Sequence, residues 1–264
     1  MLRNNLFKIL FSIGFMLLSM TSYGKMSVQA IVKKANHVAF YQGKDGRADI
    51  SMTISDSQGR KQIRKLTLLR KNMSRNDGNQ KFYAYFHRPA DVKKTVFMVW
   101  KNLNKSDDRW LYLPALDLVR RISASDKRSS FVGSNFFYED ISGRRLKDDK
   151  HELIKTSNNY YVVKNTPKNP GSVEFSYYTM WVHKKTFVMV KIEYYDKNGK
   201  KYRQFDSLKV QTIQGFPTVT KMRMKDLRNN SETISVARNV KYNIGLPNIF
   251  TERYLKKPPM KYLR

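Results

Sequence analysis

Two neighbouring strand-like segments set the tightest limit on what this chain can fold into. In residues 82–86, Phe82, Ala84 and Phe86 point one way and Tyr83 and Tyr85 the other; in residues 95–100, Val96, Met98 and Trp100 oppose Phe97 and Val99. A half-exposed antiparallel strand alternates apolar and polar residues, so two apolar faces need cover on both sides. Helices packed across a sheet would supply it. So would a curved sheet whose concave side lines a hollow for an apolar ligand. The chain offers few helices, which favours the hollow.

The rest of the sequence reads mostly as strands. Ile50, Met52 and Ile54 alternate with Ser51, Thr53 and Ser55, and Ser57-Gln58-Gly59 turns the chain into a strand over 61–69. Further strands are expected at 109–113, 117–122, 152–156, 160–163, 173–183, 187–195, 202–212, 218–227 and 233–242. Turn signals such as Asp196-Lys197-Asn198-Gly199 and Gly215-Phe216-Pro217 separate them. This spacing suits a meander closing into a barrel or half-barrel. One amphipathic helix is predicted over 27–42, capped by Ser27, with Val28, Ile31, Val32, Ala35, Val38 and Ala39 at helical spacing and Gly43 ending it. A short closing helix is expected over 247–255, and Lys256-Lys257-Pro258-Pro259 begins a tail expected to fray. The fold class is therefore mainly β, a curved antiparallel sheet with a few helices.

Residues 1–24 have the form of a cleaved signal peptide: Arg3 and Lys8 precede an apolar core at 9–18, and Ser22-Tyr23-Gly24 supplies small residues for cleavage. Export through it predicts a mature chain over 25–264, read as a single domain because no Pro- or Ser-rich linker divides it. The sequence has no cysteine, which excludes a diacylated lipoprotein and any disulfide. Its formal net charge is +30. Outside the inner membrane the abundant polyanions are phospholipid and lipopolysaccharide head groups rather than nucleic acid, so transient contact with an anionic membrane surface is the partner this charge suggests, beside a merely solvated basic surface.

Covalent chemistry finds little support. His37, His87, His151 and His183 lie far apart, without metal-ligand spacing, and no P-loop, dinucleotide fingerprint or G-x-S-x-G elbow occurs. No metal or cofactor is expected, and the chain is read as a non-enzyme. Glu139-Asp140 is the one carboxylate pair in a suggestive place; on an extended chain the two would point opposite ways. With Arg120, Arg121 and Arg144 nearby, they are expected to form ion pairs that hold the surrounding loop.

That loop belongs to the stretch 107–145, where Phe131, Phe136, Phe137 and Tyr138 stand beside Gly133 and Ser134. Apolar side chains on a polar-punctuated loop need an apolar receiver, either the core or a hollow over which the loop acts as a movable lid. The candidate cavity or lid residues are Phe97, Trp100, Trp110, Tyr112, Phe131, Phe136, Phe137 and Tyr138. The string DRWLYLPALDLVRRIS followed by KRSSFVGSNFFYEDISGR resembles the signature of the outer-membrane lipoprotein-sorting protein family, the LolA-like periplasmic proteins often associated with RND-type exporters. Weaker echoes include Asp91-Val92-Lys93 and Glu193-Tyr194-Tyr195-Asp196, while Lys94 and Asp117 depart from the family's usual residues. The resemblance implies a half-open barrel plugged by helices and a loop. It also implies a periplasmic carrier of lipid or lipoprotein acyl chains, with an inner-membrane RND-type exporter as donor and an outer-membrane acceptor; the chain itself is expected to be a monomer. The rival readings are an accessory docking subunit of such an exporter, with no cargo, and an envelope hydrolase using Glu139 and Asp140.

Overall fold

The computed structural model describes residues 26–264, so the leader expected over 1–24 lies outside the described residues. The helix α1 (Val28–Phe40) comes first, capped as predicted by Ser27, whose hydroxyl accepts from the Ala30 N–H at 3.2 Å. Its buried stripe is Ile31, Val32 and Ala35. One run of strands follows: β1 (Asp45–Ser55), β2 (Lys61–Asn72), β3 (Gln80–Arg88), β4 (Val96–Lys101), β5 (Asp108–Leu113) and β6 (Leu118–Arg121). After the short helix α2 (Tyr138–Ser142) comes a second: β7 (Asp149–Thr156), β8 (Tyr160–Pro167), β9 (Tyr177–His183), β10 (Met189–Tyr195), β11 (Lys201–Ile213), β12 (Phe216–Asp226) and β13 (Ser231–Tyr242). The chain ends with α3 (Arg253–Lys256) and a 3-10 turn, Met260–Tyr262.

All these strands join one curved antiparallel sheet in the order β6-β5-β4-β3-β2-β1-β13-β12-β11-β10-β9-β8-β7. Each run is a meander, and the two meet where β1 pairs with β13. The free edges are therefore β6 and β7, which are consecutive in sequence. The segment joining them, residues 122–148, must cross from one edge of the sheet to the other. This makes the aromatic loop the bridge over the open side of the barrel.

Both faces of β3 and β4 are covered, but by different parts of the chain. On the concave face Phe82, Phe86, Phe97 and Val99 pack with Phe131, Phe136 and Tyr138 of the bridging segment. On the convex face Tyr83, Tyr85, Val96, Met98 and Trp110 pack under Leu246, Ile249, Phe250, Leu255 and Leu263 from the C-terminal segment. The expected fraying of the tail is thus corrected: Leu263 is buried, and Arg47 Nε donates to the Tyr262 carbonyl at 3.1 Å. Its apolar side chains follow no regular period, so they do not read as an element, yet burying each contributes about 1.5–3 kcal/mol. The closing helix is also shorter than the predicted 247–255, because only Arg253–Lys256 is helical.

The other half of the concave face has lighter cover. Helix α1 lies against β7–β10, its Ile31, Val32 and Ala35 meeting Val163, Met180 and Val182. Between α1 and the bridging segment, the inner faces of β1, β2 and β10–β13 are only partly covered: Met52, Leu66 and Met224 pack with the bridging segment, whereas the space beside Ile50, Leu68, Phe205 and Met222 stays open.

Candidate functional site

That uncovered area is a cavity of about 400 Å³, within the range of about 300–1,000 Å³ common for small-ligand sites. Its walls are predominantly apolar. Ile50, Leu66 and Leu68 come from β1 and β2, Ile192 and Phe205 from β10 and β11, and Phe131, Phe136 and Ile141 from the bridging segment. Five of the twelve methionines, Met52, Met180, Met189, Met222 and Met224, also line it. Unbranched and polarizable, methionine adapts its shape to irregular contents. A wall rich in it suits a ligand without fixed shape better than one held by directed hydrogen bonds.

The bridging segment forms one wall and is fastened on every side. Its tip turns through Val132 and Gly133, both at positive φ, and Phe131 N–H donates to the Phe136 carbonyl at 2.7 Å. Asn135 ties the tip to β13: its backbone N–H donates to Thr233 Oγ1 at 2.9 Å and its Nδ2 to Ser231 Oγ at 2.6 Å. Arg64 of β2 donates to the Val132 carbonyl at 3.1 Å, and Arg203 of β11 to the Asn135 carbonyl at 2.8 Å. Gly143 ends α2 at φ 75°, where an added Cβ would come within 2.5 Å of the Phe40 ring, so this end of the segment abuts α1. The sequence leaves this loop either to the core or to a lid over a hollow; in the structure it is a plug bonded to both halves of the sheet, with Phe131 and Phe136 facing the cavity.

Beneath the plug runs a buried charge network. Glu139 accepts from Arg128 Nη1 at 2.8 Å, with Lys127 Nζ at 3.0 Å and Arg144 at 3.6 Å. Burial alone would raise the Glu139 carboxyl, but Arg128, Lys127 and Arg144 outweigh it and bring its pKa down to about 2. Arg128 also grips Glu174 bidentately, at 2.7 and 2.6 Å. Asp140 pairs with Arg203 at 2.5 Å and accepts from the Phe137 N–H at 2.6 Å. Lys101 Nζ donates to the Ser142 carbonyl at 2.6 Å, and burial holds its ammonium down to about 8 against the attraction of Asp107 and Glu139.

The expected ion-pair loop is therefore present with different partners. Arg144 takes part, but Arg120 reaches Asp126 at 3.9 Å and Arg121 reaches Asp108 at 3.0 Å, both on the exposed edge strand. Glu139 and Asp140 lie in the first turn of α2 and not on an extended chain, and their true partners Arg128, Arg203 and Lys127 are supplied by the fold. Glu139 is thus surrounded by three cations and Asp140 is held by Arg203.

Of the eight aromatic candidates, Phe131 and Phe136 line the cavity. Phe97 and Tyr138 sit directly behind Phe131, with ring centres 5.3 and 5.7 Å from it. The Phe137 ring is 3.9 Å from the Arg203 guanidinium and 4.9 Å from that of Arg128, so it insulates the charge network. Trp100, Trp110 and Tyr112 are corrected outright: they lie on the convex face in the cluster covered by the C-terminal segment, where Trp100 Nε1 donates to the Phe250 carbonyl at 2.9 Å. The cavity's own apolar walls on β10–β13 escaped the sequence reading, because those strands alternate like any amphipathic strand.

A second feature escaped it as well. β12 pairs with β13 only from Lys221↔Val236 to Asp226↔Ser231, while Ala237 and the residues after it pair with β1 alone. The sheet splits at this seam. Side chains stitch it: Gln42 Nε2 donates to the Pro217 carbonyl at 2.9 Å, Gln214 Nε2 donates to the Tyr242 carbonyl at 3.1 Å, and the Thr218 and Tyr242 hydroxyls lie 2.9 Å apart. Val219, Val240 and the exposed residues Lys241 and Ala39 line the cavity here, so it meets solvent at the seam. Among the described residues no helix is long and apolar enough to cross a membrane, and no group of His, Asp and Glu could hold a metal ion.

Residues 78–257 match a family model described as "Uncharacterized protein"-like. No curated protein matches the chain. Among solved structures, a DUF1329 family protein from Desulfovibrio piger is 30% identical, with a TM-score of 0.79 over 86% of this chain and 98% of its own. An outer-membrane lipoprotein-sorting protein domain from Vibrio parahaemolyticus is 24% identical, with a TM-score of 0.77 over 86% and 97%. A LolA superfamily protein from Nitrosomonas europaea is 20% identical, with a TM-score of 0.67 over 87% and 100%. The chain belongs to the DUF1329 family, and its curved sheet has the fold of the lipoprotein-sorting domain and the LolA superfamily protein.

Proposed function

We propose that this protein is a periplasmic carrier that holds acyl chains of a lipid or lipoprotein in the methionine-rich cavity and moves them toward the outer membrane without covalent chemistry. The observation that carries the reading is an apolar hollow of about 400 Å³ kept open between two firmly packed regions of the same sheet. Burial of a methylene contributes about 0.8 kcal/mol, so a dozen would supply about 10 kcal/mol toward drawing an anchored molecule out of a bilayer. That gain offsets the equal cost of taking the same methylenes out of the bilayer, so the transfer is close to balanced. Release then requires an acceptor with greater affinity, and the family resemblance points to an RND-type exporter as donor and an outer-membrane component as acceptor. The mature chain over 25–264 acts as one carrier domain in this reading.

The experiment is lipid analysis: protein purified from the envelope is extracted with organic solvent and examined by mass spectrometry. Stoichiometric lipid is the expected result. Protein that carries no lipid, and that takes up no fluorescent fatty acid when offered one, would reduce it to a docking subunit.

A further inference from the structure

Beyond the seam, the hairpin over 208–220 exposes residues 208–212 of its β11 arm, while its β12 arm is stitched to Gln42 and Tyr242 by side chains. β10 pairs with β11 only as far as Lys191↔Asp206, and β12 leaves β13 before Lys221, so the hairpin's outer half has no strand neighbour on either side. Leu208 and Val210 on it are 41% and 42% exposed. Lys209 is paired with Lys221 across the ladder, between two irregularities in the β11–β12 register, and like charges facing each other across a ladder are disfavoured. Lys241 is exposed at the adjoining cavity mouth. None of these three lysines has an ion-pair partner among the described residues, and residues 207–225 contain no carboxylate. The neighbouring Asp206, Asp226 and Glu232 are already engaged by Arg223, Arg228 and Lys225.

We propose that this hairpin docks the protein on an anionic phospholipid bilayer, with Leu208 and Val210 entering the head-group region and Lys209, Lys221 and Lys241 meeting lipid phosphates. The proposal rests on the carrier reading for its purpose, since it puts the mouth of the cavity against the membrane that supplies or receives the cargo. Apolar side chains flanked by unpaired lysines are the combination that binds the interface of an anionic bilayer. A hairpin guarded only against strand addition would keep the lysines and have polar residues at 208 and 210. The opposed Lys209 and Lys221 need anionic charge between them, and a phosphate-rich surface provides it.

The test is co-sedimentation with vesicles of phosphatidylglycerol and phosphatidylethanolamine, and with phosphatidylcholine vesicles as the neutral comparison. The protein should partition onto the anionic vesicles and leave them as salt rises. Lys209→Glu/Lys221→Glu should lower the partition coefficient at least about twenty-five-fold, about a factor of five for each lysine removed and more for the repulsion of each added carboxylate. Leu208→Ser/Val210→Ser should lower it about tenfold. Lys93→Glu/Lys200→Glu, which makes the same charge change at two other exposed turns, should lower it less than threefold. Equal losses in the two charge variants would mean diffuse attraction by net charge and overturn the proposal. So would equal binding to neutral vesicles, or none to either. Lipid extracted from the same preparations keeps the two ideas separate: a hairpin variant that stays off vesicles yet retains its lipid leaves both standing, whereas wild-type protein that docks through the hairpin but carries no lipid keeps the docking and removes the carrier.

Discussion

The two halves of the sheet solve one problem in opposite ways. Over β3 and β4, apolar side chains on both faces are covered by the protein itself, with the aromatic plug on one side and the C-terminal segment on the other. Over β10–β13 the inner face also carries apolar side chains, Ile192, Phe205, Met222 and Met224 among them, yet a hollow remains between the plug and α1. A half that is packed to completion gives the rigidity that lets the other stay open. A collapsing sheet would otherwise fill such a void, because each cubic ångström of cavity left in a core costs about 24 cal/mol.

The contrast is sharpest for aromatic rings in the packed half. Phe131→Ala should destabilise the protein by about 3–5 kcal/mol, since the ring is buried against Phe86, Phe97 and Tyr138 and its neighbours cannot close in without moving the plug. Urea unfolding measures this directly, and a loss below about 1 kcal/mol would show that the plug is not packed as described.

Next in size is the charge network under the plug. Glu139→Gln leaves Arg128 buried with one partner fewer and should cost about 3 kcal/mol at neutral pH. The same carboxylate makes stability depend on acid. Its folded pKa of about 2 lies below its ordinary value of 4.5, so the unfolded chain binds the proton first. Its contribution is fully present above pH 4.5 and is lost as pH falls through 4.5 toward 2. Unfolding midpoints of wild-type and Glu139→Gln protein should therefore converge across that window.

How much of this could be read beforehand depends on the range of the interaction. The alternation at Ile50–Ile54, the cap at Ser27 and the two apolar faces of residues 82–86 and 95–100 are local, and each is present as read. Periodicity reports that a second face is covered; it does not report by what. The greasiest strands therefore drew Trp100, Trp110 and Tyr112 into the cavity reading, when their cover comes from residues more than a hundred positions later. The true cavity walls, Met222 and Met224 among them, sit on ordinary amphipathic strands, where nothing local distinguishes a packed inner face from an open one. Likewise Glu139 and Arg144 are neighbours in sequence, but Glu174 and Arg203 reach the network only through the fold.

The open half should respond in function before it responds in stability. Met222→Trp adds bulk where β12 faces the cavity, so it should cost less than about 1.5 kcal/mol because the void accepts the extra volume. Uptake of a fluorescent fatty acid should fall by at least about tenfold if a longer ligand must use the same space. Unchanged uptake with unchanged stability would place the ligand elsewhere, whereas a large loss of stability would show that the inner face of β12 is packed like that of β3.

The smallest expected effect concerns how the C-terminal segment is held on the packed half. Lys256 Nζ lies 2.8 Å from Asp117, which also accepts from the Tyr112 hydroxyl at 3.1 Å, so a polar tether joins α3 to the turn between β5 and β6. Both charged partners stand in solvent, where screening and the entropy of two mobile side chains offset the attraction. Lys256→Ala should leave the unfolding midpoint where it is. Leu263→Ala, a few residues further on, removes a side chain buried against the convex face and should lower stability by about 2–4 kcal/mol. If the order were reversed, the segment would be held by its charges, and the cover over Tyr83 and Trp110 would loosen with salt. Burial holds it instead, and that is why it can serve as a permanent wall over the packed half of the sheet.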